Sequence, residues 1–406
     1  MEQPYVPLQF SRPLFSLAII LFSHITFAEP LSTNPAPLPL RVNIVPQAPV
    51  LNAKSYILVD KDNGVVLAQK ESDLKVEPAS ITKMMTIYVA DHEMQKGKLK
   101  LTDLVRVSHK SWKMTGSRMF LNVNSEVSVG DLVKGIIIQS GNDASIALAE
   151  HIAGSEEAFV DMMNSYAQRL GMHNTHFMNV TGMPDSNHYT TARDLSALAI
   201  ALIKEFPETY KLYSEKWFTF QNIRQPNRNQ LLWRNDLVDG IKTGHTDTAG
   251  FCLVASGKKE QMRLIAVVMG TQSENSRSDE TNKLLTYGFR FFETHKLYSA
   301  GTKLQVARLW FGKEKNINVG LLEDTHVTIA QGQYEKLQLA VVINKNIKAP
   351  ISEGQSLGTL TVKMGDAVIL EKPLVALESV AEGGFLSRMY DHIAFTLCNL
   401  WEKIVG

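Results

Sequence analysis

The sequence predicts an α+β protein: an antiparallel sheet flanked by helices, followed by a small all-β domain. Three observations predict it. At 406 residues the chain exceeds what one hydrophobic core usually supports, so two domains are expected. The elements run hairpin, helices, three strands, helix, an order that encloses an antiparallel sheet in helical layers. After Leu297 the texture changes to short apolar runs at turn-marked intervals.

Taken in order, Ser55 to Val59 and Val65 to Leu67 read as strands around Asp62-Asn63-Gly64, a hairpin signal. Glu77 to Ala90, EPASITKMMTIYVA, opens a helix: Pro78 suits its start and the apolar run from Ile81 to Val89 gives it several turns. Asp131 to Gln139 and Ala144 to Ile152 are helical, interrupted at Ser140-Gly141-Asn142, and Asn164 to Leu170 and Ala192 to Lys204 are helical as well. Val238 to Thr243, Phe251 to Ser256 and Arg263 to Met269 form neighbouring antiparallel strands, and a helix from Asp279 to Glu293 closes the unit. The aromatic cluster of Tyr287, Phe289, Phe291 and Phe292 is assigned to core packing. Beyond it, Gln305 to Trp310, Thr325 to Ile329, Leu337 to Ile343, Gly358 to Lys363 and Ala367 to Leu370 are the strands of the β domain. The boundaries that follow are 51–296 for the first domain, 297–378 for the second and 379–406 for a terminal helix.

Composition is that of a globular protein, 44% hydrophobic and 20% charged, and a formal net charge of +1 gives no electrostatic reason to expect nucleic acid as a partner. At the N-terminus, Arg12 precedes an apolar run from Leu14 to Ile25, too short for an ordinary membrane span, and Thr26-Phe27-Ala28 supplies a small-x-small cleavage pattern. Residues 1–28 therefore read as a secretory signal peptide, and 29–50, with six prolines, as a linker or extended edge segment. Cys252 and Cys398 lie in unrelated contexts and are expected to be free, buried thiols. His173 and His176 have no evident third ligand, so no metal is assigned, and no cofactor is implied.

Ser80 and Lys83 are three residues apart and share a helix face, but a lone S-x-x-K is better explained as a helix cap beside a solvated lysine. Company changes that reading. Ser140-Gly141-Asn142 presents a hydroxyl and a carboxamide on a turn between helices, and Lys242-Thr243-Gly244 lies on a strand, where a glycine lets a bound chain approach the backbone. The order S-x-x-K, S-x-N, K-T-G makes chance a poor explanation. A serine hydroxyl needs a base, and a lysine desolvated near a second ammonium can be neutral near pH 7. Lys83 is then the base, Lys242 the second cation and Ser140 a proton relay to the leaving amine. Asn142 is placed to hold the substrate amide, the backbone N–H groups of Ser80 and His245 to form an oxyanion hole, and Thr243 to bind an anionic substrate end.

With these motifs the chain resembles the serine D-alanyl-D-alanine carboxypeptidases among the low-molecular-mass penicillin-binding proteins. The likeness runs from about Ser55 to Gly406 and includes Gln139 to Ala144, Gly171 to Phe177, Asp239 to Asp247 and Leu284 to Glu293. It implies a penicillin-binding, β-lactamase-like catalytic domain in which Ser80 is acylated at the penultimate D-alanine of a peptidoglycan pentapeptide, D-alanine leaves, and water hydrolyses the ester. Catalytic roles fall on Ser80, Lys83 and Ser140. Substrate binding falls on Asn142, Lys242, Thr243, Gly244, His245 and Arg277, the last as receptor for the terminal carboxylate. β-Lactams are implied as covalent inhibitors. The loop from Ser111 to Gly116 departs from the pattern by being shorter than in some relatives.

Among rivals, a class A β-lactamase would need a glutamate between the second and third motifs, and Met172 to Tyr189 contains none. A cell-wall endopeptidase would typically lack the β domain, and a non-catalytic muropeptide or β-lactam sensor would not need an intact Ser80, Lys83 and Ser140. At the C-terminus, Leu386, Met389, Tyr390, Ile393, Leu397, Leu400, Trp401 and Ile404 recur at three- and four-residue steps, with Arg388, Asp391, His392, Asn399, Glu402 and Lys403 on the rest of the helix. That pattern, after a flexible break at Glu382-Gly383-Gly384, predicts an amphipathic helix lying in the outer face of the cytoplasmic membrane; the competing expectation is a helix packed on the β domain.

Overall fold

A computed structural model describes residues 45–405; the signal-peptide reading and most of the proline-rich segment lie outside the described residues. The stretch from Val45 packs on the main body, with Pro46 O accepting a hydrogen bond from Tyr287 Oη at 3.0 Å. Strands β1 (Ser55–Asp60) and β2 (Val66–Lys70) form the expected hairpin, its turn closed by Gly64 at φ 71°. A 3₁₀ turn, Ala79–Thr82, leads into helix α1 (Lys83–Gln95), which is buried continuously from Lys83 to Asp91, as a helix apolar on nearly every face must be. A helix over Val129–Lys134 passes into a π-helical turn, Gly135–Gln139, and α2 (Asn142–Ala153) follows.

Helix α3 (Glu156–Arg169) begins well before the expected Asn164, because Ser155 Oγ caps it by accepting from Ala158 N at 3.2 Å and two glutamates occupy its first turn. After α4 (Ala192–Glu205) come β3 (Val238–Thr246), β4 (Gly250–Lys259), β5 (Met262–Thr271) and α5 (Glu274–Phe291). Helix α5 likewise starts earlier than the expected Asp279, capped by Ser273 Oγ, which places Arg277 on the helix.

The five strands form one antiparallel sheet in the order β2-β1-β5-β4-β3, so β3 is an edge strand. Two-residue alternation divides its side chains between two cores. Ile57, Val59, Ile265, Val267 and Met269 lie on the face that α4 covers, while Leu58, Leu264, Ala266 and Val268 face Leu284, Leu285 and Phe289 of α5. The sheet is thus the middle layer, with α4 on one face and α5 on the other, while α1 is buried among the helices beyond α4's side of the sheet.

Strand β6 (Phe292–Tyr298) follows α5 without a turn, where the apolar spacing predicts helix through Glu293 and no strand. It pairs with β9 (Thr325–Ala330), and Thr294 Oγ1 donates to Asp60 Oδ2 at 2.6 Å, joining this pair to the hairpin turn of the first sheet. The remaining strands, β7 (Lys303–Arg308), β8 (Asn316–Gly320), β10 (Leu337–Ile343), β11 (Ser356–Met364) and β12 (Ala367–Ala376), form a second antiparallel sheet ordered β7-β8-β12-β11-β10.

The terminal helix α6 (Phe385–Val405) is docked on the β domain along one side. Asp391 is fully buried and accepts from Lys315 Nζ at 2.8 Å and Phe311 N at 2.8 Å, with Arg308 at 3.4 Å, and Phe395 packs on Trp310 and Phe311. Burial pushes the Asp391 carboxyl up, but these donors outweigh it and leave it below the usual carboxylate range. The Gly-Gly segment is no flexible break: Gly383 N donates to Phe311 O at 2.8 Å, and a Cβ on Gly383 would meet Gly312 O at 2.8 Å. The helix is therefore seated on the β domain, as the competing expectation has it. Asp391 and Phe395 seat it on the domain, while Leu386, Met389, Tyr390, Ile393, Leu397, Leu400 and Trp401 all point to solvent. Among the described residues no helix is long and apolar enough to cross a membrane.

Candidate active site

Three chain segments converge where α1 begins, beside the edge strand β3. Ser80 lies in the 3₁₀ turn and Lys83 opens α1. The capping reading of Ser80 fails, because its hydroxyl makes no cap bond and instead accepts from Lys83 Nζ at 3.2 Å. Nor is Lys83 solvated: at 1% exposure it also donates to Asn142 Oδ1 at 2.7 Å and Thr181 O at 2.6 Å. Desolvation drives its pKa down to about 7, with Asp143 opposing and Arg228 assisting. A neutral amine within hydrogen-bond reach of a serine hydroxyl is a general base in position.

The second motif sits where the π-turn ends. Ser140 has left-handed backbone geometry, φ 68°, which separates the turn from α2, and its hydroxyl accepts from Lys242 Nζ at 3.0 Å. Asn142 starts α2 with its carboxamide engaged at both ends, Oδ1 by Lys83 and Nδ2 donating to Thr115 O at 2.7 Å. The short loop before it is held in place from α2: Ser111 Oγ donates to Asp143 O, and the Asp143 carboxylate accepts from the backbone N–H of Met119, Phe120 and Leu121.

The third motif lies on β3. Lys242 is buried, and its pKa falls well below the ordinary value through desolvation and then through the neighbouring charges of Lys83, Arg228 and Arg277. The site therefore holds two lysine–serine pairs, Lys83 with Ser80 and Lys242 with Ser140. Gly244 has a different use from the one its motif suggested. A Cβ there would stand 2.9 Å from Pro78 O and 3.2 Å from the Cβ of Ala79, so the glycine lets β3 approach the serine turn rather than a bound chain. Thr243 is buried, and exposed His245 stacks on Phe251 with ring centres 3.9 Å apart.

Arg277 is 2% exposed. It donates to Arg228 O at 3.2 Å and approaches Glu274 at 3.4 Å, while its buried Nε has no partner among the described residues. Arg228, by contrast, is exposed, and its charge depresses both lysines. A cavity of about 700 Å³ adjoins this cluster, lined by Gln139, Trp217, Arg228, Trp233 and Glu274 among others.

Several contributors carry no signal in the sequence. Gly182, at φ 83°, allows its loop to abut the Ala79 carbonyl, where any Cβ would overlap it, and so holds Thr181 O against Lys83. Asp143 adjoins the second motif, yet nothing in the sequence signals its partners more than twenty residues away. His176 serves the fold, its Nδ1 lying 2.8 Å from Asn187 O. Cys252 is free and buried; the Cys398 side chain lies outside the described residues.

Residues 43–273 match the D-alanyl-D-alanine carboxypeptidase family of peptidases, and residues 292–382 match the C-terminal domain of penicillin-binding protein 5. The chain is 44% identical over 359 residues to the D-alanyl-D-alanine carboxypeptidase DacA of Escherichia coli K12, covering 86% of this chain and 89% of that one. It is 45% identical over 355 residues to DacC of the same organism, with the same coverage. The crystal structure of penicillin-binding protein 5 from Haemophilus influenzae superposes with a TM-score of 0.79 at 41% identity, over 83% of this chain and 99% of that one.

The contact at Gly244 yields a prediction. Gly244→Ala must push β3 away from the serine turn, costing about 1–3 kcal/mol of stability and separating the two lysine–serine pairs. Thermal unfolding should register the first effect, and a drop in the rate of covalent labelling at Ser80, measured on folded protein, the second. Unchanged labelling would mean that the close approach does not set the geometry of the site.

Proposed function

Because the chain belongs to the D-alanyl-D-alanine carboxypeptidase family of serine peptidases, we propose that Ser80, Lys83, Ser140 and Lys242 carry that reaction on peptidoglycan stem peptides. The observation that carries this reading is the buried Lys83 amine, 3.2 Å from the Ser80 hydroxyl. Lys83 takes the Ser80 proton as Oγ attacks the carbonyl of the penultimate D-alanine. The oxyanion forms against the backbone N–H groups of Ser80 and His245. The proton reaches the departing amine through Ser140, D-alanine leaves, and water hydrolyses the Ser80 ester with Lys83 again as base. Lys242, itself pushed toward neutrality and hydrogen-bonded to Ser140, acts in this relay more than as a fixed cationic anchor. Asn142 aligns Lys83 through Oδ1. Thr243, with the positive field of Arg277 and Arg228, receives the terminal carboxylate. A β-lactam presents a strained amide beside a carboxylate, and it acylates the same serine.

Incubation with a pentapeptide ending in D-Ala-D-Ala should release D-alanine, and penicillin should add once to the intact protein. Ser80→Ala should abolish both. Adduct formation surviving that substitution would move the nucleophile elsewhere, and a protein that binds penicillin without releasing D-alanine would be a sensor.

The rate of acylation should rise with pH through about 7, because Lys83 serves as base only after losing its proton. Lys83→Arg stays protonated throughout and should lower acylation roughly a thousandfold. A pH profile flat across neutrality would remove Lys83 from that role.

The N-terminal segment carries the export reading, and the solvent-facing stripe of α6 carries the membrane one: the enzyme is exported and held at the outer face of the cytoplasmic membrane by that stripe. Replacing Leu386, Ile393 and Leu400 together by glutamate should shift the enzyme from the membrane to the soluble fraction with activity intact. Truncation after Ala381 should also release it, but would strip Asp391 from Lys315 and lower the melting temperature of the β domain. A triple variant that still pellets with membrane would refute the anchor.

A further inference from the structure

Two chain segments hold the Lys83 amine: the serine turn, and the loop that presents Thr181 O. A third segment, Asn187 to Thr190, is paired to both. Thr190 bridges to Val76, ahead of the serine turn, and Tyr189 bridges to His176, ahead of the loop. His188, between them in this alignment, is 2% exposed, and its ring reaches the same two neighbours. Nε2 lies 2.9 Å from Thr82 Oγ1, in the turn between Ser80 and Lys83, and Nδ1 lies 3.4 Å from Met178 N, in the loop. A backbone amide can only donate, so Nδ1 accepts, and the ring carries its proton on Nε2 and donates it to Thr82. Desolvation, with His176 assisting and Asp185 and Glu77 opposing, brings the His188 pKa down to about 4, so this arrangement persists where Lys83 titrates.

Lys83 Nζ donates to Ser80 Oγ on the turn and to Thr181 O on the loop. Were those two parts to separate, the amine could follow only one of them, and water would reach it. The loop is tied to α1 by Thr86 Oγ1, which donates to Val180 O at 2.8 Å, and to α3 by Val180 N, which donates to Glu156 Oε1 at 3.2 Å. His188 joins it to the serine turn itself. We propose that His188 is a positioning residue for the acylation of Ser80: by spanning the turn and the loop it fixes their separation, and so keeps the Lys83 amine dry and within reach of the serine hydroxyl. This inference rests on the reading of Lys83 as the base. His188 acts through Thr82 and Met178 and gives up no proton itself. A lysine that regains water regains its charge, so loosening the span should raise the Lys83 pKa.

The rate of covalent labelling by penicillin, measured against pH on the full-length enzyme, tests the assignment. For the wild type it should rise through about 7. His188→Phe keeps a ring in the space but makes neither hydrogen bond. Its midpoint should move up by about one unit, so that labelling at pH 6 falls about tenfold and recovers at alkaline pH. His188→Gln, whose amide can still donate to Thr82, should lie between. Thr82→Val removes the other end of the span and should shift the midpoint in the same direction. Combined with His188→Phe it should add nothing, because the ring is the partner that Thr82 loses. A wild-type rate indifferent to pH would overturn the reading of Lys83 and this inference with it. A wild type that titrates near 7, with variants that label more slowly at an unchanged midpoint, would make His188 structural only and overturn this inference alone. Additive shifts in the double variant would overturn the span. Should His188→Phe fail to fold, His188→Gln and Thr82→Val decide by the same midpoint.

Discussion

Everything at the active site depends on keeping one amine dry. An ammonium at 1% exposure is expensive, and the protein limits that cost in two ways. It surrounds Lys83 Nζ with three oxygen acceptors, and it lets the charge go, with a pKa near 7. Neither would work on a mobile scaffold. Helix α1 is buried on nearly all sides, the Thr181 carbonyl is held by a loop that only glycine at 182 permits, and Asn142 is fixed from its other end by Thr115. The chemistry of the serine is therefore a consequence of core packing around the lysine.

The same packing explains why the second lysine lies on an edge strand. Strand β3 has neighbours on one side only, so its other side can lie against the serine turn, and glycine at 244 brings the two backbones into contact. Lys242 is thereby placed on Ser140 rather than on Ser80. Each serine has its own buried amine, and the charge of Lys83 disfavours a charge on Lys242.

How much of this could be read beforehand depends on distance along the chain. The three motifs, the sheet strands and most helices are local patterns of apolar spacing and turn residues, and they appear where the sequence placed them. Helix starts at Ser155 and Ser273 were missed although both carry capping serines, because polar first turns hide the apolar period. Strand β6 was missed because it continues α5 with no breaker between them. Within the site, the residue types were legible but their partners were not. That Asn142 serves Lys83, that Asp143 organises Met119 to Leu121, and that Gly244 faces the serine turn are long-range contacts with no local signature.

The terminal helix shows how a helical wheel can be read correctly and still mislead. Asp391, on the polar side of the wheel, is fully buried, because Lys315, Arg308 and the Phe311 amide complete its hydrogen bonding inside the domain. The apolar residues were assigned to a nonaqueous surface, and they do point away from the protein. A helix held by a buried carboxylate with leucines outward reverses the arrangement of an ordinary surface helix, in which the apolar stripe makes the contact with the core. The clamp has a mechanical effect: the stripe keeps a fixed direction relative to the β domain, and Thr294 on Asp60 ties that domain to the catalytic sheet. Any surface that receives the stripe therefore also sets the direction in which the Ser80 site faces.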